Sequence, residues 1–390
     1  MSWPSSRSLV ADGPSAEVNE LIAAVPLIDH HVHSIVRGRV EPAAFAAMAS
    51  ESDRPSAADA AGLDTQAGIA IRRWCAPLLG LPAGVPAASY LEHRRSLANE
   101  DVAKALLPAA GFERLLVDTG YRPDLLVNPS ELGRIVGAPV DRIVRLEAVA
   151  EAVAERGVEA AGFARAFREA LEAESAHAVG LKSIIAYRFG LDFDPEPPMP
   201  DEVEGHAGAW LAEIEASGRT RLTDPVLLRH VLWEGARMGL PLQVHAGYGD
   251  TDLELQRADP LLMTAFIRAT EDVCPVLLLH NYPFHRNAGY LAQMFRHVFM
   301  DVGLAVNHTG AQSAQVIAES LEVAPFTKIL FSSDAWGIPE LHFLGSWLFR
   351  RGLARVIGAW VARDDWSLED AERTIRLIAG DNARRVYRLA

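Results

Sequence analysis

His31 and His33 stand two residues apart, so on an extended segment both imidazoles project to the same side and can ligate one ion. His245 and Asp334, far along the chain, complete a set of three nitrogens and one oxygen. That set suits zinc, with Mn2+ or Fe2+ as alternatives. Each of these residues ends a short apolar run, and so do Asp29, Asp118, Glu147, Lys182, His280 and Asp301. Burying so many ionisable groups is unfavourable unless they are paired, hydrogen-bonded or bound to a metal, and one ion accounts for several at once. A lone His-x-His is weak evidence. Its weight here comes from its place at the end of a first strand, in register with His245, His280 and Asp334 on later ones. A divalent cation lowers the pKa of bound water toward about 7, and a neighbouring His or Asp can move the proton.

Side chains so distant in sequence need a scaffold that brings strand ends together. From about residue 112, short β-branched runs alternate with amphipathic stretches, the pattern of parallel βα repeats. Strands are expected at 27–29, 115–118, 143–147, 179–185, 242–245, 276–280, 298–302 and 329–333. Asp224 followed by Pro225 reads as an N-cap and first-turn proline, with Gly239 as the stop before the next strand. Eight such units close most simply into an α/β (β/α)8 TIM barrel, with its chemistry at the carboxyl ends of the strands. An open doubly wound sheet is the alternative, but no glycine-rich phosphate fingerprint follows the first strand. Residues 1–20 read as a loosely ordered lead-in and 21–390 as one domain. Residues 34–112 read as a helical insertion over the barrel mouth, with helices near 66–76 and 90–109, and residues 367–389 read as two closing helices.

Composition narrows the partners. With 49% hydrophobic and 23% charged residues the chain has the makings of a full core, which excludes disorder as its main state. A formal net charge of -14 argues against nucleic acid or anionic membrane as a partner and leaves a small molecule. Two cysteines, Cys75 and Cys274, make no disulfide framework, and neither a signal peptide nor an 18-residue apolar run is evident, so the cytoplasm is the expected compartment. Only three lysines occur, Lys104, Lys182 and Lys328, which makes a lysine at a strand end conspicuous.

The strings IDHHVH, GLKSIIAYR and SSDAWG, with the isolated histidines ending strands five and six, together resemble the metal-dependent amidohydrolase superfamily. Within it, the chain resembles the group that includes aminocarboxymuconate-semialdehyde decarboxylase-like proteins. DTGY at 118–121 and GLKSIIAYR are also similar to the amidohydrolase half of proteins fused to a glutamine synthetase-like domain. The similarity covers residues 25–389 and ends on DNARRVY.

The resemblance implies that His31, His33, His245 and Asp334 hold one divalent metal and that His280, with Asp334, is catalytic. It leaves Lys182 as either a carbamate bridging a second ion or a group that binds substrate or forms an ion pair, for instance with Glu147. Arg188 and Tyr187 fall on the rim, where an arginine can grip a carboxylate bidentately. Glu147 is a further candidate for substrate contact, and Asp29 and Asp118 for orienting the ligands. His30, one residue out of phase, is expected to face away from the ligands as a core or surface histidine. Asn281, His285, His308 and Trp336 lie in mouth loops as further candidate contacts. The activity implied is hydrolysis of an amide or other C–N bond in a carboxylate-bearing substrate, γ-glutamyl amides being one class. A non-oxidative decarboxylase on the same metal site and a catalytically silent binding protein are the alternatives, and analogy suggests a homodimer or higher homo-oligomer.

Overall fold

The computed structural model describes residues 13–52, 54 and 62–390. Seven parallel strands run in sequence order around one sheet: β1 Leu27–Val32, β2 Phe112–Asp118, β3 Val140–Arg145, β4 Ala178–Ser183, β5 Leu242–Ala246, β6 Val276–His280 and β7 Val298–Met300. The expected eighth strand is not a regular ladder, yet its segment closes the ring. Ile329 bridges Met300, Leu330 N donates to Met300 O at 3.0 Å, His30 N to Phe331 O at 3.1 Å, and Asp334 N to His31 O at 3.1 Å. The fold is therefore the expected (β/α)8 barrel.

The helices follow their punctuation. Asp224 accepts hydrogen bonds from Val226 N and Leu227 N, Pro225 opens the helix Pro225–Arg237, and Gly239 adopts a left-handed φ of 70° before β5. Ile28, Leu116, Ile143, Leu277, Phe299 and Leu330 fill the barrel near the strand starts, where Ala383, Val386 and Tyr387 of the last helix, Asn382–Tyr387, plug it. That leaves the carboxyl ends as the open mouth. The closing region consists of helices Leu368–Arg376 and Asn382–Tyr387 joined by a π-helical turn, Leu377–Asp381.

The lead-in differs from expectation: Ser15 caps a helix at Ala16–Ala24, whose Val18 and Ile22 are buried, while residues 1–12 lie outside the described residues. The described residues of the insertion are largely helical. A helix at Pro42–Met48 was not anticipated, helical turns run through 66–79, and the stretch expected as one helix splits into Ala87–Arg95 and Asn99–Leu106. The helix Asn99–Leu106 and the turns at Ile71–Cys75 and Leu107–Ala109 pack beside the long helix Pro339–Ala362. Glu51 is the insertion's one contribution to the mouth cavity among the described residues. No helix among the described residues is long and apolar enough to cross a membrane.

A buried ion pair ties the insertion to the barrel. Glu340 Oε1 accepts from Arg94 Nε at 2.5 Å and Tyr90 Oη at 3.0 Å, and Arg94 also reaches Asn99 Oδ1. Asn99 Nδ2 in turn donates to Val36 O and Gly337 O, both at 2.8 Å. Replacing Glu340 by alanine strands the Arg94 cation in the core, so Glu340→Ala is expected to lower unfolding free energy by about 3–5 kcal/mol. Equilibrium urea denaturation measures this, and a loss below about 1 kcal/mol would place the pair among weak surface contacts. On the same long helix Gly345 permits close approach to the eighth segment, since a Cβ there would stand 2.5 Å from Ser333 Cβ.

Candidate metal centre

β1 carries a bulge: Asp29 pairs with Leu115 and Val32 with Val117, three steps on one strand against two on the other. The extra residue changes which side chains face the ring. His30 is consequently buried beside Tyr387 and Asp301, under the mouth and not turned away from it, while His31 and His33 point to the mouth together. At β6 a second device operates. His280 and Asn281 have φ of 67° and 60°, and Asp334 has 49°, left-handed values that non-glycine residues adopt only where their surroundings compensate. Here the compensation is visible, since Asn281 Nδ2 donates to Leu278 O and Asp301 O, and Asp334 N to His31 O.

These turns gather three imidazoles on one carboxylate. His31 Nε2 lies 3.0 Å and His33 Nε2 3.5 Å from Asp334 Oδ1, and His280 Nε2 lies 3.4 Å from Oδ2. Burial opposes ionisation of Asp334, but His280, His31 and His33 outweigh it and hold the carboxyl well below its usual range. Asp334 Oδ1, both nitrogens of His280, and His245 Nε2 are buried without an aligned hydrogen-bond partner. Unpaired donor atoms of this kind facing one another fit a divalent cation and little else. The tightest groupings are His31, His280 and Asp334, and His31, His33 and Asp118. His245 lies outside both, with its ring 4.6 Å from His280 and 4.3 Å from Tyr187. The structure thus draws His280 to Asp334 more closely than the expected ligand His245.

Lys182 Nζ sits 3.1 Å from His31 Nε2, and burial brings its pKa down to about 8 against the pull of Asp334 and Asp118. Its suggested partner Glu147 is engaged elsewhere. β3 ends at Arg145, which leaves Glu147 in the first turn of the helix Leu146–Glu155, where it accepts from Ser183 Oγ at 2.6 Å and Ile184 N at 2.9 Å. Glu147 does not line the cavity, so its expected substrate contact gives way to a brace between β3 and β4. Arg145 occupies the mouth instead. It donates through Nε and Nη2 to Asp118 Oδ2 at 3.0 and 2.6 Å, which overcomes burial and keeps that carboxyl well below its usual range. Asp118 O accepts from His33 Nδ1 at 3.3 Å, and this orients the ring. Asp29 takes a hydrogen bond from Ser333 N at 3.0 Å, and burial pushes its carboxyl up to about 8.

Above the cluster opens a cavity of about 380 Å³ lined by Tyr121, Trp336, Tyr187, Glu51 and the arginines 122, 145, 188 and 221, among others. Of the four mouth-loop candidates only Trp336 lines it. Asn281 braces the backbone, His285 pairs with Glu319 at 2.7 Å, and His308 lies behind Glu51 at 3.3 Å. Sequence reasoning missed Arg145, Tyr121, Glu51 and Gln243. For Gln243 a signal existed, since it precedes His245 by two residues on β5 and so shares its face.

A closed (β/α)8 barrel with imidazoles converging on one carboxylate at its mouth is the architecture of a metal-dependent enzyme. A sequence profile described as Amidohydrolase matches residues 135–389, and the chain belongs to the amidohydrolase family. A protein of Lactobacillus casei ATCC 334 described as a metal-dependent hydrolase is 30% identical, with a TM-score of 0.82 over 95% of this chain and 96% of its own. Protein fluG of Emericella nidulans is 28% identical over 96% of this chain, which spans 47% of that protein. A uronate isomerase of Bacillus halodurans C-125, 13% identical with a TM-score of 0.62 over 100% of this chain and 98% of its own, shares the fold.

Proposed function

We propose that this enzyme hydrolyses the amide C–N bond of a small substrate bearing a carboxylate. The observation that carries the reading is the approach of His31, His33 and His280 to within 3.0–3.5 Å of the Asp334 carboxylate beneath the cavity. His31, His33 and Asp334, with the unpartnered His245 Nε2, are the residues to hold one divalent ion, Zn2+ by its preference for nitrogen-rich sets. Such an ion, when bound, polarises a carbonyl and makes water acidic enough to attack near neutral pH. The protein supplies the proton path. His280 Nε2, 3.4 Å from Asp334 Oδ2, is placed to take the proton of the attacking water with that carboxylate and to return it to the leaving nitrogen. Lys182 then serves as a cation toward the substrate, not as a bridge to a second ion.

Arg188 anchors the carboxylate. Arg145 is committed to Asp118 and Arg221 to Asp252 at 2.9 Å, and Arg122 lies over the Tyr121 and Trp336 rings. Arg188 has Glu151 Oε1 3.1 Å from Nη1, but its Nε and Nη1 make no aligned hydrogen bond although the side chain is only 10% exposed. Burial, with Arg221 nearby, depresses its pKa against the pull of Glu151 and Glu147, so an incoming carboxylate meets a guanidinium that gains from a further acceptor. Arg188→Met is expected to raise KM about 10- to 100-fold, from loss of one charge-assisted contact worth roughly 1.5–3 kcal/mol, with kcat changing much less. Steady-state kinetics check this, and an unchanged KM removes Arg188 from recognition.

γ-Glutamyl amides are the first class to test, because the chain resembles the amidohydrolase half of glutamine synthetase-fused proteins and aligns with about half of Protein fluG. The Zn2+-loaded protein is expected to release amine from members of a γ-glutamyl amide panel. Release of CO2 without amine would point to decarboxylation, and no turnover across amides would reject the hydrolytic reading.

A further inference from the structure

Gln243 is fully buried beneath the metal centre, and its amide can be oriented in only one way. Its Nε2 lies 2.7 Å from His30 O and 2.7 Å from Tyr387 Oη, while its Oε1 lies 2.8 Å from His31 Nδ1. A backbone carbonyl only accepts, so the NH2 group must face His30 O and the amide oxygen must face His31. His31 therefore carries its proton on Nδ1, and its Nε2 lone pair accepts from Lys182 Nζ at 3.1 Å, the ammonium offsetting the Asp334 carboxylate 3.0 Å away.

The hydrogen-bond chain continues outward from Gln243. Asp301 Oδ1 accepts from His280 N at 2.9 Å and Gly303 N at 3.0 Å, and Oδ2 lies 2.9 Å from His30 Nε2. His30 thus carries its proton on Nε2, and its Nδ1, 3.0 Å from Tyr387 Oη, accepts the phenol proton. Were His30 doubly protonated, the phenol would have no acceptor, since its other neighbour is the Gln243 NH2. The donors run one way, from His31 through Gln243, Tyr387 and His30 to Asp301. Every member belongs to a barrel strand or loop except Tyr387, which the final helix inserts into the barrel.

We infer that Gln243 is a positioning residue that locks His31 in the Nδ1–H tautomer and so presents its Nε2 to the metal, and that Tyr387, His30 and Asp301 set the polarity of that lock. The inference rests on the metal-centre reading above. It differs from a merely satisfied core amide in what it requires of His31 before any ion binds.

The test is two-bond 15N–1H correlation spectroscopy of histidine-labelled, metal-free protein, with His31 assigned by comparison with His31→Asn. The parent is expected to show His31 as the Nδ1–H tautomer. Gln243→Leu is expected to lose that single tautomer and to bind Zn2+ about 10- to 100-fold more weakly in competition with a chromophoric chelator. Gln243→Glu, with its outer oxygen protonated toward His30 O, keeps an acceptor for Nδ1–H and is expected to keep the tautomer and most of the Zn2+ affinity. An Nε2–H tautomer in the parent, or unchanged tautomer and Zn2+ affinity in Gln243→Leu, overturns the inference. The parent spectrum decides even if Gln243→Leu does not fold. A parent with the Nδ1–H tautomer that fails to bind Zn2+ leaves the lock standing and removes the metal reading instead.

Discussion

Asp334→Asn is expected to lower turnover about 10³-fold and to weaken retention of the divalent ion, while leaving the fold intact. The carboxylate faces His31, His33 and His280 at 3.0–3.5 Å, and these imidazoles hold it ionised despite burial. An amide of the same shape removes that charge and one strong donor to the ion. Asparagine also tolerates the left-handed φ of 49° at this position, so the backbone loses nothing by the exchange. Turnover, metal content and thermal unfolding of the same preparation separate the effects. Activity within about tenfold of the parent would remove Asp334 from the reaction.

His280→Asn is expected to lower kcat by about 10²- to 10⁴-fold, the range for losing a general acid–base group, with the ion still bound. Asparagine again suits the backbone, since His280 has φ of 67°. Both imidazole nitrogens are buried without an aligned hydrogen bond, and Nε2 stands 3.4 Å from Asp334 Oδ2, so the ring is free to take and return a proton. The measurement is kcat together with metal content after gel filtration. Loss of the ion would make His280 a ligand and move the proton-transfer role to His245, whose Nε2 is equally unpartnered.

Much of this site was legible in the sequence because barrels convert strand ends into a shared mouth. Lys182, His245, His280 and Asp334 each close an apolar run, and each lines the cavity. Three details were not legible, and each has a local cause. The bulge between Asp29 and Val32 shifts side-chain parity within one strand, so His30 comes to lie below the site where simple alternation turns it away. β3 stops at Arg145, two residues earlier than its apolar pattern suggests, because Leu146 already starts a helix whose face is also apolar. That exchange puts a guanidinium at the mouth and turns Glu147 into a brace. The eighth segment pairs through scattered backbone bonds, since the left-handed turn at Asp334 and the approach of Gly345 bend it out of a regular ladder. Lone polar residues such as Gln243 escape notice for a different reason: an amide carries no charge to mark its burial as unfavourable, and only its partners give it a role.

The proposed reaction requires one ion shared by side chains from the first, fifth and eighth barrel segments. Anomalous diffraction at the metal absorption edge, from crystals of the purified protein, tests it most directly. The expected result is a single peak within about 2.0–2.3 Å of His31 Nε2, His33 Nε2, His245 Nε2 and an Asp334 carboxylate oxygen. A mouth without such a peak, or a second ion bridged through Lys182, would contradict it.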